Sequence, residues 1–118
     1  MMNYQDCVFC KIAAGDIPST MLYQDEDVVA FRDLNPQAPV HILIIPRKHI
    51  ASVAEMNEED VPLLGKICLV AKALAEQEGI AESGYRLIAN TRKDSGQEVP
   101  HLHFHLIGGC FLGPFTSK

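Results

Sequence analysis

The sequence predicts an α+β domain built on a mainly antiparallel sheet. Three observations carry this. Short β-rich segments come first, one long helical repeat follows, and more strands close the chain, an order that disfavours a doubly wound parallel sheet. Apolar residues between Asn57 and Gly79 recur at helical spacing. The segment "HLHFHLI" at 101–107 alternates with the period of a strand. The 118 residues form one domain, 1–118, with no internal repeat.

Taken in order, "CVFCKIAAGDIP" predicts a short N-terminal helical turn that ends near Gly15 and Pro18. "TMLYQ" and "VVAFRD" predict two short strands, with Asp25 to Asp27 as the hairpin turn between them. "NPQAP" is a loop with two prolines, and the β-branched "VHILIIP" is a buried strand closed by Pro46. In the long helix, Val61, Leu64, Cys68, Ala71 and Ala75 define an apolar face, which Leu63, Ile67, Val70 and Leu74 widen. Cys68 is therefore expected in the core. Asn57 or Asp60 caps the start, and Pro62, tolerated only in a first turn, favours the later start. Gly79 is the expected stop. "YRLIAN" is the next strand, "TRKDSGQEVP" a polar loop, and "HLHFHLI" the last strand. The tail "CFLGPFTSK" is apolar but broken by Gly113 and Pro114.

A net charge of −5 disfavours a nucleic-acid groove, though backbone amides can still bind one small anion. No apolar run approaches the roughly 20 residues of a membrane helix, and residues 1–6 are polar, so neither a membrane span nor a signal peptide is expected. Four cysteines then read as reduced thiols or metal ligands in the cytoplasm.

The last strand carries the chemistry. His101, His103 and His105 share one face, each about 7 Å from the next, while Leu102, Phe104 and Leu106 enter the core. Three imidazoles on one face can bind a metal, relay protons near neutral pH, or supply a nucleophilic nitrogen. Gly108 and Gly109 beside them would let a ligand approach the backbone closely. The loop just before them carries Asn90, Ser95, Gly96 and Gln97, where a glycine can let N–H groups converge on an anion.

The pattern His-φ-His-φ-His-φ-φ, with φ apolar, is the signature of the histidine triad (HIT) superfamily. "FRDLNPQAPVHILIIPRKHI", "GYRLIANTRKDSGQEV" and "HLHFHLIGG" resemble its Hint branch, the histidine triad nucleotide-binding proteins, from about Cys7 to the end. The resemblance implies the HIT-like fold: a five-stranded, mainly antiparallel sheet with one long helix and a short N-terminal helix. It also implies a purine nucleoside phosphoramidase that cleaves the bond between a nucleoside 5′-monophosphate and an amine or acyl group through a nucleotidyl-histidine intermediate. By position, His103 resembles the nucleophile. His105 resembles the residue by the phosphate and leaving group, and His41 the distant fourth histidine. His101 positions the strand. No metal is required for that chemistry.

The same resemblance places Asp33 and Leu34 beside the ribose, Phe9, Ile12, Ile17 and Phe31 around the purine, and Asn90, Gly96 and Gln97 on the phosphate side. Glu98 stands where animal members have a phosphate-contacting serine, a departure that points to the bacterial subgroup. Family members are usually twofold dimers, and Phe111, Leu112, Pro114 and Phe115 could reach the partner's site. Zinc-bearing relatives in the superfamily use a CxxC pair, a later histidine and the first triad histidine, which match Cys7, Cys10, His49 and His101. That set suits a closed structural zinc. Two other functions remain open at this level: a non-catalytic nucleotide-binding adaptor, and a metal-dependent hydrolase with H-x-H-x-H as ligands.

Overall fold

The computed structural model describes residues 6–116. It contains helix α1 (Val8–Ala14), strands β1 (Met21–Gln24), β2 (Val28–Arg32) and β3 (Val40–Pro46), and helix α2 (Val61–Gln77). Strands β4 (Tyr85–Ala89) and β5 (Phe104–Gly108) follow. The five strands make one sheet in the order β1-β2-β3-β5-β4, every neighbouring pair antiparallel. The Asp25 turn forms as expected: its carboxylate accepts the backbone N–H groups of Asp27 and Val28 at 2.7 and 2.8 Å.

The sheet has two apolar faces. Ala30, Ile42, Ile44, Phe104 and Leu106 meet Ile67, Val70, Ala71 and Leu74 of α2 on one side. Val29, Phe31, Leu43 and Ile45 meet Cys7, Phe9, Cys10, Ile12 and Ala13 at and around α1 on the other. Helix α1 is only seven residues long, so it covers part of the second face and leaves the rest open. That opening receives the histidines.

Three expectations change. The helix begins at Val61 with Asp60 at its N-cap position, but the Asp60 carboxylate turns back to the Asn57 N–H and to Lys48 Nζ instead of capping α2. Cys68 is exposed, because the face that packs is Ile67, Val70, Ala71, Leu74 and Ala75; Val61 is left 63% exposed. The last strand is shorter than "HLHFHLI". In the register of β3 and β5, Ile44 faces Phe104, so Pro46 would face Leu102. The Arg47 N–H bonds to Asp27 on the β2 side, which turns Pro46 toward β5. Pro46 has no N–H to give there, and the ladder stops. Leu102 bonds to the Ile50 carbonyl instead.

The glycines after the triad are required by packing. A Cβ on Gly108 would lie 2.9 Å from Ile80 Cδ1 and 3.3 Å from the Gly84 carbonyl oxygen. Gly109 has φ +93° and backs onto Pro39.

Candidate active site

The β2–β3 hairpin positions two of the polar groups. Its register pairs Arg32 with Ile42, so Asp33 lies opposite His41, and the Asp33 N–H bonds to the His41 carbonyl at 3.0 Å. On β5, His105 pairs with Leu43 and therefore lies diagonally across from His41 on the same face. The two rings meet, His41 Nε2 to His105 Nδ1, at 2.9 Å. His41 Nε2 also lies 3.3 Å from the Asp33 carboxylate.

Backbone groups dictate which nitrogens carry protons. The proline-framed loop at 35–39 folds over His41, and the Gln37 N–H donates to His41 Nδ1 at 2.9 Å. His41 therefore carries its proton on Nε2 and donates it toward His105 Nδ1 and Asp33. The proton of neutral His105 is then on Nε2, facing outward. His103 Nδ1–H donates to the His101 carbonyl at 2.7 Å, which leaves the lone pair on His103 Nε2. His101 Nε2–H donates to the Pro46 carbonyl at 2.8 Å, which leaves its lone pair on Nδ1. The three triad rings thus have separate duties. They do not converge on one point as the ligands of a single ion would.

Burial pushes the His105 imidazole down to about 4, helped by the neighbouring His103 and His41 rings and opposed by Asp33. His41 is lowered for the same first reason, again opposed by Asp33. Both are uncharged at neutral pH, so they act there as hydrogen-bonding groups.

A cavity of about 270 Å³ opens in front of these rings. Phe9, Ile12, Ile17 and Phe31 form its apolar wall, Asp33 and Leu34 its rim, and His103 and His105 its polar end. Phe9 meets Phe31 and His103 edge to face, with centroids 5.7 and 5.1 Å apart. Leu34 is 93% exposed, so it is a lip, not a wall. Of the phosphate-side residues expected from sequence, Gly96 and Gln97 line a neighbouring groove, and Asn90 lines neither space. Gln97 is a loop staple: its amide donates to the Ala51 and Val99 carbonyls and accepts from the Arg92 N–H. Glu98 lines both spaces. Sequence reasoning missed Ser19, Leu43 and Val99 as lining residues. It also missed the Gln37 N–H, because a backbone contact to a side chain four residues on leaves no compositional mark.

Behind His101 lies a second constellation. The ligand atoms of Cys7, Cys10, His49 and His101 all lie within 4.8 Å of one another. Cys7 Sγ is 3.2 Å from His101 Nδ1, and Cys10 Sγ is 3.4 Å from His49 Nδ1 and 3.5 Å from His101 Nδ1. A tetrahedral ion with sulfur at about 2.3 Å and nitrogen at about 2.0 Å separates neighbouring S and N ligands by about 3.5 Å. His101 presents the unprotonated Nδ1 that coordination needs, so the set fits a metal. Asp33, His41 and His105 are also clustered, but they fit poorly. A metal on His41 Nε2 would need the proton on Nδ1, where the Gln37 N–H already points.

Comparison with known proteins agrees with this architecture. A family model described as "HIT domain" matches residues 14–111. The chain is 54% identical over 113 residues to the "Purine nucleoside phosphoramidase" of Escherichia coli K12, covering 96% of this chain and 95% of that one. It is 48% identical over 104 residues to the "14 kDa zinc-binding protein" of Zea mays, covering 86% and 80%. The structure of a histidine triad protein from Clostridium difficile superposes with a TM-score of 0.93 at 43% identity, covering 98% of this chain and 100% of that one.

Proposed function

The chain belongs to the HIT domain family, and from that premise we propose that it is a hydrolase of the purine nucleoside phosphoramidase type. The observation that carries the reading is the fixed tautomer of His103: its Nδ1–H is bound to the His101 carbonyl, so Nε2 keeps a free lone pair at a cavity of about 270 Å³ with an apolar wall. The apolar wall would take the purine, and Asp33 would accept from ribose hydroxyls with the lone pairs left beyond Asn35 and His41.

His103 Nε2 attacks the α-phosphorus, and the nitrogen of the P–N bond departs with its electron pair. His105 Nε2–H donates to a phosphoryl oxygen as charge builds there, and His41 holds His105 in the tautomer that makes this possible. Water then attacks the nucleotidyl-histidine and frees the nucleoside monophosphate, restoring His103. An adaptor that only binds nucleotide has no use for a buried nucleophile held in one tautomer.

Hydrolysis of adenosine 5′-phosphoramidate tests this. Wild type should release AMP, and His103→Ala should lose at least about a thousandfold in kcat. Equal rates in both would overturn the assignment.

Three further elements belong to the proposal. Cys7, Cys10, His49 and His101 would hold a structural zinc, which the geometry fits and which the name of the maize relative supports. Burial and the adjacent Cys7 push the Cys10 thiol up to about 11, so a metal would have to displace its proton on binding. The chain would pair with a second copy, since β4 is a free sheet edge and Leu69 is 69% exposed on α2. Phe111 and Phe115, 93% and 92% exposed, are available to reach a partner's site. Finally, no described helix is long and apolar enough to cross a membrane, and the four free cysteines suit a reducing cytoplasm.

A further inference from the structure

The nucleotide cavity ends at Glu98, and a second space begins there. This groove, about 650 Å³, runs between the loop at 92–98 and the turn at 51–55. Glu98 borders both spaces. Glu98 thus shares the first space with Asp33, His103 and His105 and the second with Arg92 and Lys93. A cavity of about 270 Å³ is just below the roughly 300 Å³ of a small ligand site, so a group bonded to the phosphorus would extend beyond it, and the groove adjoins it at Glu98.

The groove is held in shape. Arg92 has φ +65°, the one described non-glycine residue in the left-handed region, a strained conformation that the surrounding contacts hold. Its N–H bonds to Gln97, and its carbonyl accepts from Ser95 Oγ at 2.9 Å. Its guanidinium pairs with Glu55, which Ser52 also holds. Those charges cancel. Glu98 differs: among the described residues its carboxylate has no hydrogen bond or ion pair, yet it stands at the boundary beside the reacting centre. Lys93, also unpartnered, lines the groove but not the histidine cavity.

Resting on the phosphoramidase reading, we propose that this groove is the leaving-group subsite and that Glu98 sets its charge preference, favouring cationic amines over acyl or other anionic groups. In the first step the His103 Nε2–P bond forms and the P–N bond breaks. The departing nitrogen keeps the electron pair and takes two protons from solvent, which the later attacking water returns as it hydrolyses the nucleotidyl-histidine. The amine becomes an ammonium, which the Glu98 carboxylate attracts, whereas a departing carboxylate is repelled.

Three substrates with the same scissile bond test this: AMP joined through nitrogen to a 2-aminoethyl, a propyl or a 2-carboxyethyl group. In wild type, kcat/KM should fall in that order, by roughly tenfold per step. Glu98→Gln should flatten the series and Glu98→Lys reverse it, while Lys93→Gln, which removes the groove's unpaired cation, keeps the order and steepens it. Titration with AMP shows that each variant is folded and binds. A wild type active on unsubstituted phosphoramidate but indifferent to charge, or a series unchanged in Glu98→Gln, overturns the inference alone. A wild type that cleaves no phosphoramidate overturns the functional reading and this inference with it.

Discussion

His41 uses both ring nitrogens inside the protein, one to accept from Gln37 and one to donate toward His105 and Asp33. The neighbouring His105 has a consequence for stability. Its folded-state pKa is about 4 against an ordinary 6.5, so between those values the unfolded chain binds more protons than the folded one. Its contribution is complete above pH 6.5 and is lost as pH falls toward 4. Melting temperatures measured from pH 7 to 4.5 should therefore fall in wild type, and fall less steeply in His105→Asn. The resemblance indicated which histidines belong together. The hydrophobic pattern alone did not reveal their tautomers, because these depend on carbonyls and N–H groups that the folded backbone brings to them.

Helix α1 brings Cys7 and Cys10 to His101. Zinc bound there would tie the first helix to the segment before β5. Protein purified without a histidine tag should carry about one zinc per chain, and Cys10→Ser should lose it and melt several degrees lower; less than about 0.2 zinc per wild-type chain would count against the site. At the far end of β5, Gly108→Ala should destabilise by about 1–3 kcal/mol in chemical denaturation, since its new methyl would meet Ile80 and the Gly84 backbone. The strand and helix order was legible from periodicity. The buried face of α2 was less so, because "VPLLGKICLVAKALAEQ" is apolar nearly all round and 3.6-residue spacing then selects no single face. The end of β5 depended on a proline in a different strand, which no local pattern reveals.

Across the whole molecule, apolar side chains remain outside after folding. Val61 and Leu69 are exposed on α2, and Tyr85 is 40% exposed on the edge strand β4. For a chain of 13.0 kDa, sedimentation should report about twice that mass, and Leu69→Glu should shift the species toward one chain; a wild type that sediments as a single chain at micromolar concentration would rule the pairing out. Neither the free edge nor the exposed stripe could be located from the sequence, since both depend on which strand ends up outermost.

Pro46 also gives its carbonyl, left without a β5 partner, to the ring of His101. Had a valine stood there, the zipper of main-chain bonds would have had one more tooth. The segment carrying the proposed nucleophile would be drawn into the weave, its imidazoles held by cloth instead of standing at the hem. The geometry of the histidine strand is thus set partly by an interruption, and engineers who regularise that strand for stability should expect the proposed chemistry to unravel first.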